Sequence, residues 1–330
     1  MRPLDLTDEW FHGAVSLEHR KEGIKPWRIP FADYDLFPPG GIGGKAEICS
    51  GVRLGFFTDS AELFISFAPL AEAAVMDSMV DGVLFQSLRL PAGETRADFR
   101  ELPAGVKELE IYLPQNTGVT VTGLLVNAEA FCDPLPDARP KWVTYGSSIT
   151  QCVAAASPSR TWPAIAAAAC GFNLTNLGFS GNCHMEPMIG RMIRGLSADF
   201  ISICAGVNIY GAATVSPRMF SPLLIGLLET IREGHPQTPL LVISPIYGTI
   251  RETEENPLGF TLPLMRSGIR ETVELLRRRG DRHLYYVDGL DWLGQEDEAL
   301  LTDGLHPGAE GYEVMGRRFP ELLQAAAAPL

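Results

Sequence analysis

The chain has 330 residues, and its 27 Lys and Arg stand against 40 Asp and Glu, which gives a formal net charge of −13. Hydrophobic residues make up 46% and charged residues 20%, a balance typical of globular proteins that excludes an intrinsically disordered chain. An acidic chain without clustered Lys and Arg is a poor ligand for nucleic acid or for an anionic membrane surface, so we expect neither as a partner. The length allows two domains or one large one.

The cysteines and the N-terminus bear on the compartment. Six cysteines stand singly, with no C-x-x-C pair, so the sequence predicts neither a zinc site nor a redox motif. The first ten residues are polar and acidic and lack the apolar core of a signal peptide. No apolar stretch reaches the roughly 20 residues that span a bilayer. We therefore expect a soluble, reduced, cytoplasmic protein.

Residues 1–135 are predicted to form a small all-β accessory domain. Segments such as 61–67, 108–113 and 119–126 alternate between apolar and polar side chains, and Gly, Pro, Asn and Asp separate them. This pattern favours a sandwich or jelly roll. The glycine-rich stretch 38–44 is interpreted as a flexible loop. It is not a phosphate-binding P-loop, because Ala46 follows Lys45 where that motif needs Ser or Thr.

Residues 136–330 are predicted to form a second domain, after a proline-containing linker at 133–140. Short apolar runs alternate there with amphipathic or Ala-rich stretches, which predicts a parallel sheet covered by helices on both faces. The runs are Trp142–Tyr145, Leu174–Leu177, Phe200–Cys204, Leu240–Ile243 and Leu284–Val287, and the helical stretches are about 161–170, 185–195, 217–234, 264–279 and 309–325.

Polar segments follow several of these predicted strands. Such sheets bind ligands at the carboxyl ends of their strands, so chemistry is expected just after each run. Three of the segments come directly after the first three runs, and the fourth lies between the last run and the last helix. They are Gly146–Thr150, Gly178–Asn182, Gly206–Asn208 and Asp303–Pro307.

These segments supply the groups that acyl transfer requires. Ser148 is the candidate nucleophile and His306 the candidate base. Asp303, three residues before His306, can reach the far ring nitrogen and fix its tautomer. The backbone N–H groups of Ser148 and Gly181 and the side-chain amide of Asn208 are the candidate oxyanion donors. Gly181 has no Cβ, so its backbone can approach a substrate closely.

In this order the four segments resemble the SGNH hydrolases, also called the GDSL esterase/lipase superfamily. The resemblance covers roughly residues 141–325 and implies a flavodoxin-like three-layer α/β/α domain with a Ser-His-Asp triad. Residues 1–135 are similar to the β-sandwich that precedes the esterase domain in some carbohydrate esterases. The matching blocks are Gly146-Ser147-Ser148, Gly181, Gly206-Val207-Asn208-Ile209 and Asp303-Gly304-Leu305-His306 with Pro307.

Two positions depart from the family pattern, since Ser147 and Ile209 stand where the family usually has Asp. Ser147 is also a rival nucleophile, although as the second residue of its block it is expected to orient the turn. Ser180 is another rival, but Gly178-Phe179-Ser180-Gly181 is not the Gly-x-Ser-x-Gly nucleophile elbow of α/β-hydrolases. Taken alone, Ser148 would be interpreted as a helix cap.

Three further features of the sequence each allow two structural interpretations. His184 lies near Gly181 and is either a pocket residue or a surface histidine. Trp162 is either core or a wall of the pocket. The polar segment 246–263 is long enough to be a lid or a binding loop.

The sequence therefore predicts a serine esterase that hydrolyses a small acyl ester, with an acetylated carbohydrate as the favoured substrate. An aryl or short-chain lipid esterase and an acyltransferase on the same triad are alternatives. A carbohydrate-binding protein on a decayed esterase scaffold is the non-enzymatic alternative. The expected partner is a small-molecule ester, with neither cofactor nor metal, and a homo-oligomer is left open.

Overall fold

A computed structural model describes residues 1–327, which form two compact units. The first unit holds residues 1–139 together with two later segments, 156–160 and 173–176. The second unit holds residues 140–155, 161–172 and 177–327. The chain thus passes between the units near position 139 and returns twice to the first unit.

Two six-stranded antiparallel sheets make up the first unit. One has the strand order β3-β4-β11-β6-β9, with β1 beside β11, and the other has the order β12-β5-β10-β7-β8, with β2 beside β5. The strands are β1 (Arg2–Pro3), β2 (Phe11–His12), β3 (Ser16–Arg20), β4 (Gly23–Trp27), β5 (Arg53–Thr58), β6 (Leu63–Phe67), β7 (Ala74–Val80), β8 (Val83–Leu90), β9 (Arg96–Phe99), β10 (Lys107–Tyr112), β11 (Val121–Val126) and β12 (Cys132–Pro134).

Alternate side chains of both sheets meet in one apolar core. Leu54 and Phe56 of β5 are fully buried there, as are Leu63 and Ile65 of β6 in the other sheet. This two-residue period is what a strand with one buried face requires. The predicted all-β sandwich is therefore confirmed.

The stretch interpreted as a loop contains a defined turn, α1 (Gly40–Gly44). Its central residues have left-handed dihedral angles, including Ile42 at φ 51° and ψ 60°. A β-branched residue is rarely found there, because its side chain crowds the backbone. The described residues also form 3-10 helices at Asp8–Trp10, Phe31–Leu36, Pro158–Arg160, Thr249–Glu252 and Gln295–Leu300.

A buried carboxylate brings residues 156–160 into the first unit. Asp77 of β7 is fully buried, and one of its oxygens accepts hydrogen bonds from the Ser157 hydroxyl (2.5 Å), the Ser159 backbone N–H (2.9 Å) and the Ser159 hydroxyl (2.6 Å). Its other oxygen accepts the Ser87 hydroxyl at 2.6 Å. Four donors on one carboxylate offset the cost of burying it.

The second unit is built on a five-stranded sheet with the order β14-β13-β15-β16-β17. Pairing from β13 through β17 is parallel, and this order is the flavodoxin-like one. The strands are β13 (Lys141–Gly146), β14 (Asn173–Gly178), β15 (Phe200–Cys204), β16 (Leu240–Ile243) and β17 (Leu284–Val287). The helices are α2 (Ser148–Gln151), α3 (Trp162–Cys170), α4 (Pro187–Gly195), α5 (Val207–Ala212), α6 (Pro217–Gly234), α7 (Leu262–Arg278), α8 (Gly289–Trp292) and α9 (Ala309–Ala327).

An aromatic cluster forms much of the core on one side of this sheet. Trp142, Trp162, Trp292 and Phe319 are all buried, with ring centroids 4.6 Å apart for the Trp162–Trp292 pair and 4.9 Å for Trp142–Phe319. The strand order reverses between β13 and β15, which in such sheets opens a crevice at the carboxyl ends of those strands. The segments that begin with Gly146 and Gly206 start at this point.

Candidate active site

Three predicted site residues form one hydrogen-bonded chain. Ser148 is the first residue of α2, and its Oγ lies 2.8 Å from Nε2 of His306 although 158 positions separate them. Nδ1 of His306 lies 2.7 Å from Oδ2 of Asp303. The structure therefore brings the candidate nucleophile, base and acid together at the distances that proton transfer needs.

The carboxylate of Asp303 has a second task. Its Oδ1 accepts the backbone N–H groups of Leu305 (3.0 Å) and His306 (2.7 Å). Partial burial raises the pKa of Asp303, but the backbone and ring hydrogen bonds from His306 outweigh it and lower the pKa to about 2. An ionised Asp303 only accepts, so Nδ1 of His306 carries the proton and Nε2 offers a lone pair to Ser148.

Ser147 has a structural role. It is the N-cap of α2, and its Oγ accepts the backbone N–H of Ile149 at 3.3 Å. The carbonyl of Ile149 accepts the indole N–H of Trp162 at 2.8 Å. Because Trp162 is fully buried, it belongs to the core rather than to a pocket wall, and it holds the helix that begins at Ser148.

The segment after β14 packs directly on α2. A Cβ on Gly178 would lie 2.3 Å from the backbone N of Gln151 and 2.4 Å from the carbonyl C of Thr150, so only glycine fits. The side chain of Gln151 then accepts the backbone N–H of Ser180 at 2.9 Å. These contacts fix the start of the loop that carries Gly181 relative to Ser148.

The candidate oxyanion donors are also connected. Gly181 has φ +74°, a left-handed conformation that suits glycine, and no described protein atom lies within 4 Å of where its Cβ would be. One N–H of the Asn208 amide donates to the carbonyl of Asn182 at 2.5 Å, next to Gly181. Among the described residues the second amide N–H of Asn208 makes no hydrogen bond, so it can serve a substrate oxygen.

The loop from Gly181 to Glu186 holds two strained residues. Cys183 (φ 75°) and Met185 (φ 64°) are left-handed although neither is glycine, which costs of order 1–2 kcal/mol each. A carboxylate oxygen of Glu186 accepts the backbone N–H groups of Cys183 (3.1 Å) and His184 (3.0 Å). The other oxygen accepts the hydroxyl of Tyr145, on the strand that leads to Ser148.

Sequence reasoning missed Tyr145 and Glu186. They lie 41 positions apart, and no local spacing connects them. The one usable signal was Tyr145 itself, a polar-tipped side chain in a predicted buried strand, which needs a hydrogen-bond partner when buried.

His184 is tied to the same loop. Its Nε2 lies 3.1 Å from the carbonyl oxygen of Gly181, and its Nδ1 lies 2.9 Å from the hydroxyl of Thr214. A carbonyl only accepts, so Nε2 carries the proton there. The ring therefore links Gly181 to the segment that follows α5.

The long segment after β16 is anchored at several points. Arg266 of α7 is buried, and its guanidinium binds both carboxylate oxygens of Glu252 (2.6 and 2.7 Å) as well as the carbonyls of Pro245 and Ile246. The hydroxyl of Thr249 donates to the carbonyl of Gly304, inside the Asp303–His306 segment. On its other side, the Tyr210 hydroxyl donates to the carbonyl of Glu254. The segment after β16 thus contacts both the loop that carries Asp303 and His306 and helix α5.

Residues 1–327 contain neither a metal-binding cluster nor a membrane-spanning helix. No group of three or more His, Cys, Asp or Glu residues in that range is arranged to hold a metal ion. No helix described there is both long and apolar enough to cross a membrane.

Two known families match the chain, one in its N-terminal part and one in its C-terminal part. Residues 140–323 match the GDSL-like Lipase/Acylhydrolase family, and residues 10–120 match the N-terminal domain of SsfX3. Among curated proteins, none matches the chain.

Solved structures match over nearly the whole chain. The salicylyl-acyltransferase SsfX3 from a tetracycline biosynthetic pathway superposes with a TM-score of 0.93 at 32% identity, covering 99% of this chain and 98% of that one. A Bacteroides ovatus protein described as a GDSL-like lipase gives 0.79 at 22% identity, covering 96% and 95%. A family two carbohydrate esterase from Clostridium thermocellum, in complex with cellohexaose, gives 0.69 at 16% identity, covering 95% and 98%.

The family match spans more than half of the chain and includes all four blocks. The structural neighbours share the arrangement of an N-terminal domain followed by an SGNH domain. The chain therefore belongs to the GDSL-like lipase/acylhydrolase, or SGNH, family, as its sequence predicted.

Proposed function

We propose that the protein is a serine esterase that transfers a small acyl group, an acetyl group in the favoured case, from a carbohydrate ester to water. The observation that carries this proposal is the chain of hydrogen bonds from Ser148 Oγ to His306 Nε2 (2.8 Å) and from His306 Nδ1 to Asp303 (2.7 Å). The same groups in the same order perform acyl transfer on unrelated folds.

In the first half-reaction, His306 Nε2 takes the hydroxyl proton of Ser148 while Oγ attacks the ester carbonyl. The N–H groups of Ser148 and Gly181 and the amide of Asn208 stabilise the oxyanion. His306 then donates the proton to the leaving alcohol as the C–O bond breaks, which leaves an acyl group on Ser148. In the second half-reaction His306 activates water, and hydrolysis returns the free enzyme and a carboxylic acid.

Solvent exposure of the triad favours water as the acceptor. The side chain of His306 is 34% exposed and that of Asp303 is 56% exposed. Water can therefore reach the base without displacing a covering segment. An obligate transferase needs the opposite arrangement, a site that excludes water until its acceptor is bound.

The carbohydrate assignment rests on shared architecture. A β-sandwich followed by an SGNH domain is also found in the family two carbohydrate esterase that was solved with cellohexaose. The net charge of −13 favours a neutral ester over an anionic one.

Acyl transfer to an alcohol is a second candidate, favoured by one observation. The salicylyl-acyltransferase SsfX3 is 32% identical over 99% of the chain, a closer likeness than the carbohydrate esterases above show. Both functions pass through the same acyl group on Ser148, and they differ only in the nucleophile that removes it.

The experiment combines labelling with a substrate panel. A fluorophosphonate is expected to label the wild-type protein once per chain, and Ser148→Ala is expected to abolish labelling and to lower p-nitrophenyl acetate hydrolysis at least a thousandfold. Full activity in Ser148→Ala would refute the triad. Acetylated sugars, aryl acetates and salicylate esters are then compared with and without an added alcohol. Acyl transfer to the alcohol in preference to water would replace the esterase with the transferase.

A further inference from the structure

A half-buried carboxylate binds the backbone of the loop that carries the candidate oxyanion donor Gly181. Glu186 ends this loop and stands at the N-cap position of α4, but its side chain makes no capping bond to that helix. It turns back instead, and one oxygen accepts the N–H groups of Cys183 and His184 at 3.1 and 3.0 Å. Two successive N–H groups that converge on one oxygen form the kind of backbone nest that binds anions.

The second oxygen of Glu186 binds the strand of the nucleophile. The hydroxyl of Tyr145, which is fully buried on β13, donates to it. Burial, with the nearby Cys183 and Glu186, raises the pKa of Tyr145 well above its ordinary value, so the phenol stays protonated and acts as the donor. Tyr145 directly precedes Gly146-Ser147-Ser148, so this one carboxylate joins the strand of the nucleophile to the loop of the oxyanion donor.

The loop from Gly181 to Glu186 needs contacts that stabilise its unusual backbone conformation. Gly181, Cys183 and Met185 alternate in left-handed backbone, and two of the three are not glycine. Strain of this kind persists only where surrounding contacts hold it, and it is concentrated at functional sites. The other contacts of the loop, from His184 to the Gly181 carbonyl and from Asn208 to Asn182, depend on the same backbone path.

We propose that Glu186 is a positioning residue of the oxyanion hole. Its carboxylate holds the loop in the left-handed conformation that presents the N–H of Gly181 to the oxyanion, and Tyr145 holds the carboxylate. This inference rests on the proposed function, because an oxyanion hole has a role only if Ser148 attacks a carbonyl. Glu186 itself touches no reacting atom.

The test compares Glu186→Gln, Tyr145→Phe and their combination. In Glu186→Gln the amide oxygen can still accept the two backbone N–H groups, but the charge that strengthens those bonds is lost. We expect kcat for p-nitrophenyl acetate to fall about 10- to 100-fold with KM within about twofold, since a loss confined to transition-state binding lowers kcat and not KM. Tyr145→Phe is expected to lower kcat less, about three- to tenfold. The double variant is expected to match Glu186→Gln, because the two residues act through one bond.

Two readouts separate positioning from mere support of the fold. Fluorophosphonate titration counts the competent Ser148 sites, and kcat is expressed per titrated site. A boronic acid forms a tetrahedral adduct on Ser148, and its inhibition constant is expected to rise in proportion to the loss of kcat/KM. The matched control is Glu298→Gln. That exposed carboxylate of the same unit also accepts a tyrosine hydroxyl, from Tyr247 at 3.0 Å, and its loss is expected to leave kcat unchanged.

The possible results distinguish a failure of this inference from a failure of the proposed function. If kcat per titrated site and boronic acid affinity in Glu186→Gln equal those of the wild type, Glu186 only supports the fold and the inference is overturned. If the wild-type protein itself neither reacts with fluorophosphonate nor hydrolyses any ester of the panel, the proposed function fails and the inference fails with it. Glu186→Ala serves as the stronger variant, and Glu186→Gln decides the question if Glu186→Ala does not fold.

Discussion

Asp303 accepts two hydrogen bonds from His306, one from ring Nδ1 and one from the backbone N–H, each 2.7 Å long. A single carboxylate thus fixes both the main chain and the side chain of the candidate base. This is the physical reason for the Asp-x-x-His spacing, because three residues are what the chain needs to turn back onto the carboxylate. The ring orientation follows from this local turn.

Asp303→Asn is expected to lower kcat about 100- to 10,000-fold while the protein stays folded. The amide oxygen can still accept the backbone N–H groups of Leu305 and His306. The amide nitrogen, however, donates to the ring and favours the tautomer with its proton on Nε2, which cannot deprotonate Ser148. Steady-state kinetics with p-nitrophenyl acetate and urea denaturation measure the two effects. A fall in kcat of less than tenfold would contradict this role.

The pH profile is expected to show a single ionisation on its acid side. The pKa of Asp303 is about 2, so this carboxylate stays ionised across the working range. A loss of kcat/KM above pH 4 then comes from protonation of another group of the site and not of Asp303. A plot of log kcat/KM between pH 4 and 8 should approach a slope of one. A slope of two would show that a second group titrates with it.

The lowered pKa also has a consequence for stability. A carboxyl group with a pKa lower in the folded state than the roughly 3.9 of an unfolded chain stabilises the protein above that pH. The contribution of Asp303 is therefore present at neutral pH and is lost as the pH falls toward 2. The free energy of unfolding of Asp303→Asn is expected to lack this part of the acid dependence.

Ser147→Ala is expected to separate the two adjacent serines. Ser147 caps α2, and loss of a cap costs about 0.5–2 kcal/mol in the free energy of unfolding. Ser148 keeps its bond to His306, so fluorophosphonate labelling should still reach one per chain. Urea denaturation and mass spectrometry of the labelled protein provide the measurements. Loss of labelling in a folded Ser147→Ala protein would favour Ser147 as the nucleophile.

Asp77→Ala is expected to destabilise the protein by roughly 3–5 kcal/mol. The substitution leaves the hydroxyls of Ser87, Ser157 and Ser159 and one backbone N–H without their buried acceptor. Asp98→Asn is the matched control. That carboxylate is on β9 of the same unit, is about one third exposed and binds Arg96 and Arg100. Its loss should cost less than about 1 kcal/mol. Equal losses from both variants would contradict the account given for Asp77.

Arg266→Met is expected to release the segment after β16. Four hydrogen bonds of a buried guanidinium are lost, and Glu252 loses its ion-pair partner, which costs about 3–5 kcal/mol. Limited proteolysis is then expected to cut between residues 246 and 261 faster than in the wild type. Arg278→Met, which removes an exposed arginine of the same helix paired with Glu274, should leave both stability and cleavage unchanged. Cleavage at the same rate in both variants would count against this anchoring.

The elements of the second unit were largely predictable from the sequence. Its five strands and the long helices fall within a few residues of the apolar runs, because burial on both sheet faces leaves a continuous apolar signal. The candidate triad residues were identifiable because the local spacing of Asp303 and His306 is distinctive and Ser148 directly follows a predicted strand.

Long-range polar partners could not be predicted. Asp77 binds Ser157 and Ser159, which lie about 80 positions further along the chain. The local sequence pattern therefore gives no indication that residues 156–160 return to the first unit. The hydrogen bond between Glu186 and Tyr145 could likewise not be predicted from the sequence. A single glutamate in a loop is ordinarily a solvated charge, and only the fold shows that it faces a backbone nest.

The contact of Gly178 with the backbone of Gln151 bears on how this site can change by mutation. The atoms that a Cβ would meet belong to the main chain of Thr150 and Gln151 and are present whatever side chains those positions carry. No second substitution among neighbouring side chains can therefore restore a Gly178→Ala protein, as suppressors do for overpacked cores. In a library that varies every position, we expect Gly178 to admit no other residue, while the exposed acid Asp303 still yields folded variants.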